Sequence, residues 1–362
     1  MIETFRLIEQ AKEAVDEGYK IAMATVVAVE GSAYRHEGAK LIIFDEGSSL
    51  GLISGGCLEG EVAAIAREVF KKGNVKRESF DLREDELFGL GSGCGGVVDI
   101  LIEEIGSNKS FEVWSAAIFA RLPVVRVLII ASERQDVRLG EDLILIDGEV
   151  PVGSLVDPIL TQFAIKATED LFSQRNPETK SVHIKGVEML LDVTLPPPEI
   201  TLFGAGLDAQ PVANLARRCG FQVLVVDPRA DFLCQSSFPG ATLIKIHPGA
   251  YQEKLNFGCN TAVVVMNHNY ERDRKALRFA LESKAFYVGV LGPSHRLQKL
   301  LDVLKEEGFM PTKEQLDKVY NPIGLDIGAE GPEEIAVSVV SEVIAFLRGK
   351  KGGMLRKVAD QL

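Results

Sequence analysis

The sequence predicts an α/β protein with a mixed N-terminal α/β domain and a C-terminal Rossmann-like domain built on a doubly wound parallel sheet. Three observations support this fold class. Residues 199–346 alternate apolar, β-branched segments with amphipathic helical segments, as a parallel sheet requires. The segment LFGAGLDAQ places a glycine-rich turn between a predicted strand and a predicted helix. Residues 1–108 instead carry short apolar strands around two amphipathic helices.

The N-terminal domain, residues 1–108, begins with an amphipathic helix in MIETFRLIEQAKEAVDEGYK. The apolar segment KIAMATVVAVEG then predicts a strand, and AKLIIFDEG and SSLGLIS predict a hairpin joined by EGSS. A second helix is predicted from Leu58, because apolar residues recur at helical spacing through Val62, Ile65 and Val69. The segment VVDILIEEI predicts the strand that ends the domain.

Residues 109–198 contain the strand-like segments VVRVLIIAS, DLILIDGEV and EMLLDVTL and the helical segment DPILTQFAIKATEDLFSQ. This middle segment either extends the first sheet or forms a small α/β unit. The run PPP at 196–198 is stiff, and we place the start of the Rossmann-like domain, residues 199–346, after it. A short basic tail, residues 347–362, follows. No internal repeat is apparent at a period typical of solenoids.

Composition and charge limit the class of protein. The chain has 362 residues, which indicates two or three domains, and 46% of them are hydrophobic, as in globular proteins. The net charge of −12 argues against a general affinity for nucleic acids or anionic membranes. The N-terminus lacks the pattern of a secretory signal, and no apolar run approaches the ~20 residues of a membrane span. Five cysteines without CxxC spacing are typical of reduced thiols, so we expect a cytoplasmic protein.

Cys57 lies in ISGGCLEGEV, directly after Gly55 and Gly56 and at the start of a predicted helix. The helix macrodipole favours a thiolate at this position, and the glycines expose backbone N–H groups that suit an anionic ligand. Such a thiolate can act as a nucleophile, a sulfur carrier or a soft metal ligand. The alternative is a small buried cysteine at a tight turn.

Cys94 lies in a second glycine-rich segment, GSGCGGVV. The same chemistry and the same structural alternative apply to it, although no obvious helix dipole acts on this loop. The other three cysteines lie at helix ends or in loops of the second domain, and we interpret them as structural: Cys219, Cys234 and Cys259.

Gly204 and Gly206 form the predicted phosphate-binding turn, with Ala209 at the third glycine position of the fingerprint. Gly206 allows a phosphate to approach the backbone at the N-terminus of the following helix. Asp227 ends the next strand, where a carboxylate typically binds a ribose hydroxyl. Arg229 either pairs with this carboxylate or contacts a 2′-phosphate. The alternative is a Rossmann-like domain without a nucleotide.

His268, in MNHNYERD, follows the predicted strand NTAVVV. It therefore stands at the carboxyl end of a parallel strand, where ligands bind in such sheets. His268 is a candidate general base, with Asp273 as a candidate orienting partner. In the alternative interpretation, Asn267 or Asn269 caps the next helix and His268 is incidental.

These motifs, in this order, resemble the XdhC/CoxI family. GSAYRHEGAK, ISGGCLEGEV and GSGCGGVVDI resemble its N-terminal domain. LFGAGLDAQPVANLARRCGFQVLVVDPRADF, MNHNYERDRKAL and NPIGLDIGAEGPEEIAVSVVSE resemble its C-terminal Rossmann domain, so that the resemblance covers about residues 10–105 and 199–346. The chain departs from the family at Leu207, where members often carry histidine, and any ligand contact that this histidine makes is absent here.

The resemblance implies an accessory factor, or chaperone, for molybdenum hydroxylases such as xanthine dehydrogenase. Such a factor binds molybdenum cofactor and assists its sulfuration and insertion, with an apo-hydroxylase and a cysteine desulfurase as partners. Cys57, in the matching loop, would then contact the metal, and Cys94 matches a second family loop. The chain is not itself expected to be a xanthine dehydrogenase, because two [2Fe–2S] clusters need more thiolates than its five cysteines supply.

Two other functions stay open on the sequence alone. A nicotinamide-dependent oxidoreductase would hold NAD(P) with Gly204, Gly206 and Asp227 and move protons with His268, but this function leaves both cysteine loops without a role. A scaffold that only docks the hydroxylase would have inert thiols. We expect a homodimer, since two-fold assemblies are the commonest.

Overall fold

The strands form three sheets in the residues that the computed structural model describes, which are 2–83, 96–106, 109–153, 155–172 and 177–354. Two sheets have five antiparallel strands each, and the third has six parallel strands. The chain divides into two units, residues 1–196 with the antiparallel sheets and residues 197–362 with the parallel sheet. This mixture confirms the predicted α/β class with a Rossmann-like C-terminal sheet.

The first sheet is built from the N-terminal elements, which are α1 (Ile2–Asp16), β1 (Ile21–Glu30), β2 (Lys40–Phe44), β3 (Ser49–Gly51), α2 (Glu59–Lys72), β4 (Lys76–Asp81) and β5 (Val97–Ile105). Its strand order is β3-β2-β1-β5-β4. The helix predicted from Leu58 is confirmed, and Leu58 is its N-cap. Its apolar stripe, which includes Val62 and Val69, packs against the inner face of the sheet.

The middle segment forms a second sheet instead of extending the first. Its elements are α3 (Lys109–Phe119), β6 (Val124–Ser132), β7 (Asp142–Ile146), β8 (Val152–Gly153), α4 (Pro158–Phe172), β9 (Lys180–Ile184) and β10 (Val187–Thr194). The strand order is β8-β7-β6-β10-β9. Helix α4 begins at Pro158, directly after Asp157, as the sequence predicts.

The two antiparallel sheets repeat one topology. In each, a helix precedes three strands, a second helix follows, and two further strands complete the sheet in the same spatial order. The strand registers also agree: the first residue of β1 pairs with Phe44 and Ile105, and the first residue of β6 pairs with Ile146 and Thr194. Both third strands end in a glycine of left-handed conformation, with φ +99° at Gly51 and +98° at Gly153.

Contacts between the two halves of this unit are reciprocal. Arg77 Nη1, in β4, donates to the carbonyl oxygen of Ile130 at 3.0 Å, and Ser181 Oγ, in the equivalent strand β9, donates to that of Val27 at 3.3 Å. The fourth strand of each half therefore donates to the first strand of the other half at an equivalent position. Such reciprocal contacts relate the halves in the way that a two-fold axis relates the protomers of a dimer. We call them the first half, residues 2–106, and the second half, residues 109–196.

Buried charges cross the junction between the halves as ion pairs. Lys40 Nζ lies 2.8 Å from Asp192 Oδ1, and both side chains are buried. Arg126 lies 2.6 Å from Glu103, across the junction, and 2.7 Å from Asp142 of its own half. Removal of one side chain of such a pair leaves the other charge buried without a counter-ion. The pairs that cross the junction therefore favour the observed packing of one half on the other.

The Rossmann domain contains β11 (Glu199–Phe203), α5 (Ala209–Arg218), β12 (Gln222–Asp227), β13 (Thr242–Lys245), α6 (Tyr251–Lys254), β14 (Thr261–Val265), α7 (Tyr270–Glu282), β15 (Tyr287–Val290), α8 (Ser294–Glu306), α9 (Lys313–Asp317), β16 (Val319–Tyr320) and α10 (Pro332–Leu347). The parallel strand order is β13-β12-β11-β14-β15-β16. Helices α5 and α10 cover one face, and α7 and α8 cover the other. The strand order reverses direction between β11 and β14, which is where ligands bind in such sheets.

Within the described ranges, every helix is too short or too polar to cross a lipid bilayer.

Candidate functional site

Two of the loops that carry the N-terminal motifs, GSAYRHEGAK and ISGGCLEGEV, lie at one end of the first sheet. Because the strands are antiparallel, β1, β3 and β4 end at this edge and β2 and β5 begin there. The connections 31–39 and 52–58 therefore belong to the same edge, as do the described residues 82, 83 and 96. Cys94, the second predicted thiol, falls within residues 84–95, which lie outside the described residues.

The Cys57 loop is organised by two residues that the sequence did not single out as site residues. The Glu59 carboxylate accepts hydrogen bonds from the N–H groups of Ile53 and Ser54, at 3.2 and 2.9 Å, and from Ser54 Oγ at 2.5 Å. Ser54 Oγ in turn accepts from the N–H groups of Gly56 and Leu58, both at 3.1 Å. The serine and the glutamate thus hold both sides of the loop. Their spacing of five residues was the only feature of the sequence that could have indicated this contact.

The hydrogen bonds keep Glu59 ionised. Burial raises the pKa of the Glu59 carboxyl group, but the hydrogen bonds from the Ser54 hydroxyl and from the Ser54 and Ile53 N–H groups outweigh this effect, so its pKa lies below the ordinary value. Glu59 is also the first residue of α2, where the macrodipole favours a negative charge.

Cys57 is half-buried and lies immediately before the N-cap of α2. Its side chain packs against the apolar cluster under α2, as does Ala33 from the neighbouring loop. The concavity of N–H groups predicted here is largely filled by the chain itself, because four of these groups donate to Glu59 or Ser54. Among the described residues, the N–H groups of Gly55 and Cys57 have no acceptor. These two groups and the thiol are what the loop offers to a ligand.

Gly55 is a glycine that the fold does not require. A Cβ atom at Gly55 would have no neighbour within 4 Å, and its φ is not in the left-handed region. The next residue differs, because Gly56 has a φ of +107° and any side chain there would be strained. The open space at Gly55, two residues before Cys57 in the chain, allows a ligand to approach the backbone closely.

In the second domain, Gly204 and Gly206 form the predicted turn between β11 and α5. Gly204 has a φ of +120°, and a Cβ there would lie 2.5 Å from the carbonyl oxygen of Met266, at the end of β14. The glycine is therefore required for the two strand ends to pack together. A Cβ at Gly206 would meet only the carboxylate of Asp208, at 2.6 Å.

Asp227 ends β12 as predicted, and its side chain is fully buried. Its carboxylate accepts hydrogen bonds from Ala205 N–H and from three groups of Arg229, at 2.8–2.9 Å. Burial raises the pKa of Asp227, but these hydrogen bonds outweigh it and hold the pKa below its ordinary value. Of the two interpretations of Arg229, the structure shows the local ion pair with Asp227.

The structure pairs His268 with Asp208, whose Oδ2 lies 2.6 Å from His268 Nε2, and not with Asp273. Asp273 instead accepts hydrogen bonds from Asn267 and from Arg296. Asn269 caps α7 by accepting from the N–H group of Arg272, as the alternative interpretation proposed. His268 itself has a φ of +52°, which is uncommon outside glycine, and its side chain is 62% exposed. Its role as a general base stays a prediction.

The other cysteines differ from one another. Cys219 is half-buried, and burial raises the pKa of its thiol. Cys234 and Cys259 are exposed, and the hydrogen bond between Cys234 and Ser236 lowers the pKa of the Cys234 thiol. A thiol-reactive probe is therefore expected to label Cys234 readily, and labelling alone does not single out Cys57. No cluster of three or more potential metal-binding side chains occurs in the part of the chain that the structure describes.

Comparison with known proteins places both units in one family. The family model described as XdhC and CoxI family matches residues 14–81, and the model of the XdhC Rossmann domain matches residues 200–343. A Bacillus subtilis protein, named as a probable subunit of xanthine dehydrogenase, is 33% identical over 343 residues, which cover 93% of this chain and 94% of that protein. The Escherichia coli molybdenum cofactor insertion chaperone PaoD is 24% identical over 93% of this chain and 86% of its own length.

A solved structure gives the same result. A Bacillus halodurans protein described as a xanthine dehydrogenase is 28% identical to this chain and superposes with a TM-score of 0.77. The match covers 96% of this chain and 97% of the solved one, so it includes both units. On the family models and the 33% identical relative that it matches over nearly its whole length, the chain belongs to the XdhC/CoxI family.

Proposed function

We propose that the chain is an accessory factor in the maturation of a molybdenum hydroxylase of the xanthine dehydrogenase type. It binds molybdenum cofactor as cargo and passes it to the apo-hydroxylase. The names of two relatives support the proposal, since one is called a molybdenum cofactor insertion chaperone and another a probable xanthine dehydrogenase subunit. The observation that carries it to particular residues is the loop that holds both the half-buried thiol of Cys57 and the open backbone at Gly55.

The chemistry of this loop fits such a cargo. Molybdenum cofactor combines a soft, sulfur-bound metal with an anionic pterin, and a cysteine thiolate is a soft ligand. Gly55 leaves the backbone accessible, and the N–H groups of Gly55 and Cys57 are suited to contact an anionic oxygen. Glu59 and Ser54 fix the loop in this form, so that the thiol and the two N–H groups keep one arrangement before the cargo arrives.

The finer part of the proposal concerns sulfuration and partners. We assign to the chain a role in the sulfuration of the bound cofactor, with a cysteine desulfurase as the sulfur donor, in the cytoplasm and as a homodimer. Gly55 and Gly56 are exposed, which leaves the loop accessible to a second protein as well as to cargo. Catalysis of xanthine oxidation is not proposed, because five cysteines are too few for the iron–sulfur clusters of that enzyme.

The test is the cargo content of the protein purified from a host that makes molybdenum cofactor. Molybdenum is measured by mass spectrometry, and pterin by the fluorescence of its oxidised form. We expect the wild-type protein to retain both, Cys57→Ser to lose most of both, and Cys259→Ser, which changes an exposed cysteine of the other unit, to retain them. A wild-type protein without molybdenum or pterin would refute the proposal. Equal retention by Cys57→Ser would show that the thiol does not hold the cargo.

A further inference from the structure

The glycine-rich turn after β11 implies a dinucleotide, because Rossmann domains that carry this fingerprint usually bind one. They use two anchors: the turn and the following helix N-terminus bind the pyrophosphate, and a carboxylate at the end of the second strand binds the ribose. Both positions are present here, at Gly204–Gly206 and at Asp227. The structure shows whether these anchors are available to a ligand.

A carboxylate of the chain lies at the turn that would bind the pyrophosphate. Asp208 Oδ1 lies 2.6 Å from where a Cβ of Gly206 would stand, so the side chain fills the space that the glycine leaves. Asp208 is at the N-cap position of α5, but its side chain makes no capping hydrogen bond. Its other oxygen is instead held by His268 at 2.6 Å. A negative charge therefore stands at the turn where a ligand would bring its own negative charge.

The position of Asp208 is set from the opposite side of the crevice. His268 follows β14, and its backbone φ of +52° is a conformation that residues other than glycine rarely adopt. The two loops are in contact beneath the pair, since a Cβ at Gly204 would lie 2.8 Å from the Cα of Asn267. The pair thus joins the ends of the two strands between which the sheet reverses its order.

The second anchor, Asp227, already has hydrogen-bond partners within the protein. All four hydrogen bonds to the buried Asp227 carboxylate come from the chain, three of them from Arg229. The Arg229 guanidinium additionally stacks on the ring of Phe232, at 3.8 Å from its centroid. A ribose hydroxyl would have to displace this arginine in order to reach Asp227.

We infer that this Rossmann domain does not hold a dinucleotide and that Asp208 is the residue that excludes it. Gly204 serves the packing of the strand ends, and the space beside Gly206 is filled by Asp208. The inference does not rest on the proposed function, because it concerns the other unit and a different ligand. Gly204, Gly206 and Asp227 then no longer support an NAD(P)-dependent oxidoreductase, the function that they suggested in the sequence.

The experiment measures the binding of NAD⁺ and NADH to the full chain by titration calorimetry. The variants are Asp208→Asn, which removes the charge and keeps the shape, and Asp208→Asn combined with Arg229→Gln, which also releases Asp227. The control is Asp302→Asn, which removes one charge from the exposed surface of α8 in the same domain. Thermal unfolding of each variant confirms that it is folded.

We expect wild type and Asp302→Asn to bind more weakly than about 1 mM, and at least one Asp208 variant to bind ~10-fold more tightly or better, because a like charge has left the site. Micromolar binding of either dinucleotide by the wild-type protein would overturn the inference. It would equally be overturned if neither variant gained affinity, since Asp208 would then not be the cause. Molybdenum content, measured on the same preparations, reports separately on the proposed function.

Discussion

Glu59→Ala is expected to disable the cysteine loop without touching the thiol. The substitution removes the acceptor of three hydrogen bonds, from the N–H groups of Ile53 and Ser54 and from the Ser54 hydroxyl. Ile53 and Ser54 are 2% and 3% exposed, so the donors that lose their partner have little access to water. Ser54 also loses the contact that orients its hydroxyl toward Gly56 and Leu58, and the loop no longer has one preferred arrangement.

The cost in the free energy of unfolding follows from these contacts. A buried donor that loses its acceptor costs about 1–3 kcal/mol, and hydrogen bonds to a charged group lie at the upper end of the range. Glu59 itself is half-exposed, and solvent screening reduces its share. We therefore expect a loss of about 2–4 kcal/mol for Glu59→Ala and about 1–2 kcal/mol for Glu59→Gln, whose amide oxygen still accepts the N–H groups.

The same contacts set the direction of the pH dependence. The pKa of Glu59 is lowered in the folded protein from its ordinary 4.5, so the unfolded chain binds the proton more readily. The stabilisation by Glu59 is complete above pH 4.5 and is lost as the pH falls through the lowered value. At neutral pH the loop keeps its full support.

Urea unfolding and molybdenum content, measured on the same preparations, test this reasoning. Glu61→Gln is the matched control, because it removes a charge from the same first turn of α2 without a contact to the loop. We expect Glu59→Ala to lose both stability and most of its molybdenum, and Glu61→Gln to keep both. The reasoning is refuted if Glu59→Ala unfolds at the wild-type urea concentration and retains wild-type cargo.

Three further predictions concern glycines and a buried charge. Gly55→Ala should leave urea unfolding unchanged and lower the molybdenum content of the purified protein. The control is Gly60→Ala, in equally open surroundings within α2, which should change only helix propensity. Equal molybdenum content in the two variants would contradict a ligand at Gly55. Gly51→Ala and Gly153→Ala should each lower the free energy of unfolding by at least ~1–2 kcal/mol, because both have left-handed φ and a Cβ would lie within 2.7 Å of a carbonyl oxygen. Lys40→Met should cost about 3–5 kcal/mol by leaving its buried carboxylate partner unpaired, and a wild-type urea midpoint would contradict this.

Much of the fold could be predicted because its signals are local. Continuous apolar strands and a glycine turn indicate the Rossmann domain, and helical spacing of apolar residues indicates α2. Strand β4 was missed because it is an edge strand in which only Phe80 is buried, so KRESFD shows no apolar alternation. Helix α3 was missed because it lies in a segment without a clear boundary signal, between strands that were recognised.

The site was only partly predictable, because its key contacts depend on how the loops fold and, for Asp208 and His268, on strand pairing. The sequence directed attention to Cys57 and to the glycines, whose chemistry is visible in the residue type. It could not show that Glu59 returns to the loop, or that Asp208 and His268 meet, since 60 residues separate them and only the pairing of β11 with β14 brings them together. Asp273 was the nearer candidate along the chain, but its carboxylate is used by Asn267 and Arg296.

The two-fold relation between the halves of the first unit has a consequence for how far their sequences can differ. In a dimer of identical chains every substitution appears twice, so a change that suits one side must be tolerated on the other. Two halves within one chain are free of this coupling, because each position is encoded separately. Position 40 is lysine, while its counterpart in the second half, position 142, is aspartate. One side of the junction therefore holds the ion pair of Lys40 with Asp192, and the other holds Arg126 between Glu103 and Asp142. The loop before the second helix differs in the same way: the first half has Cys57, and the equivalent stretch LVDP, which ends at the first residue of α4, has no cysteine. If the proposed function is correct, the first half carries the cargo-binding residues and the second half supports it through the shared junction.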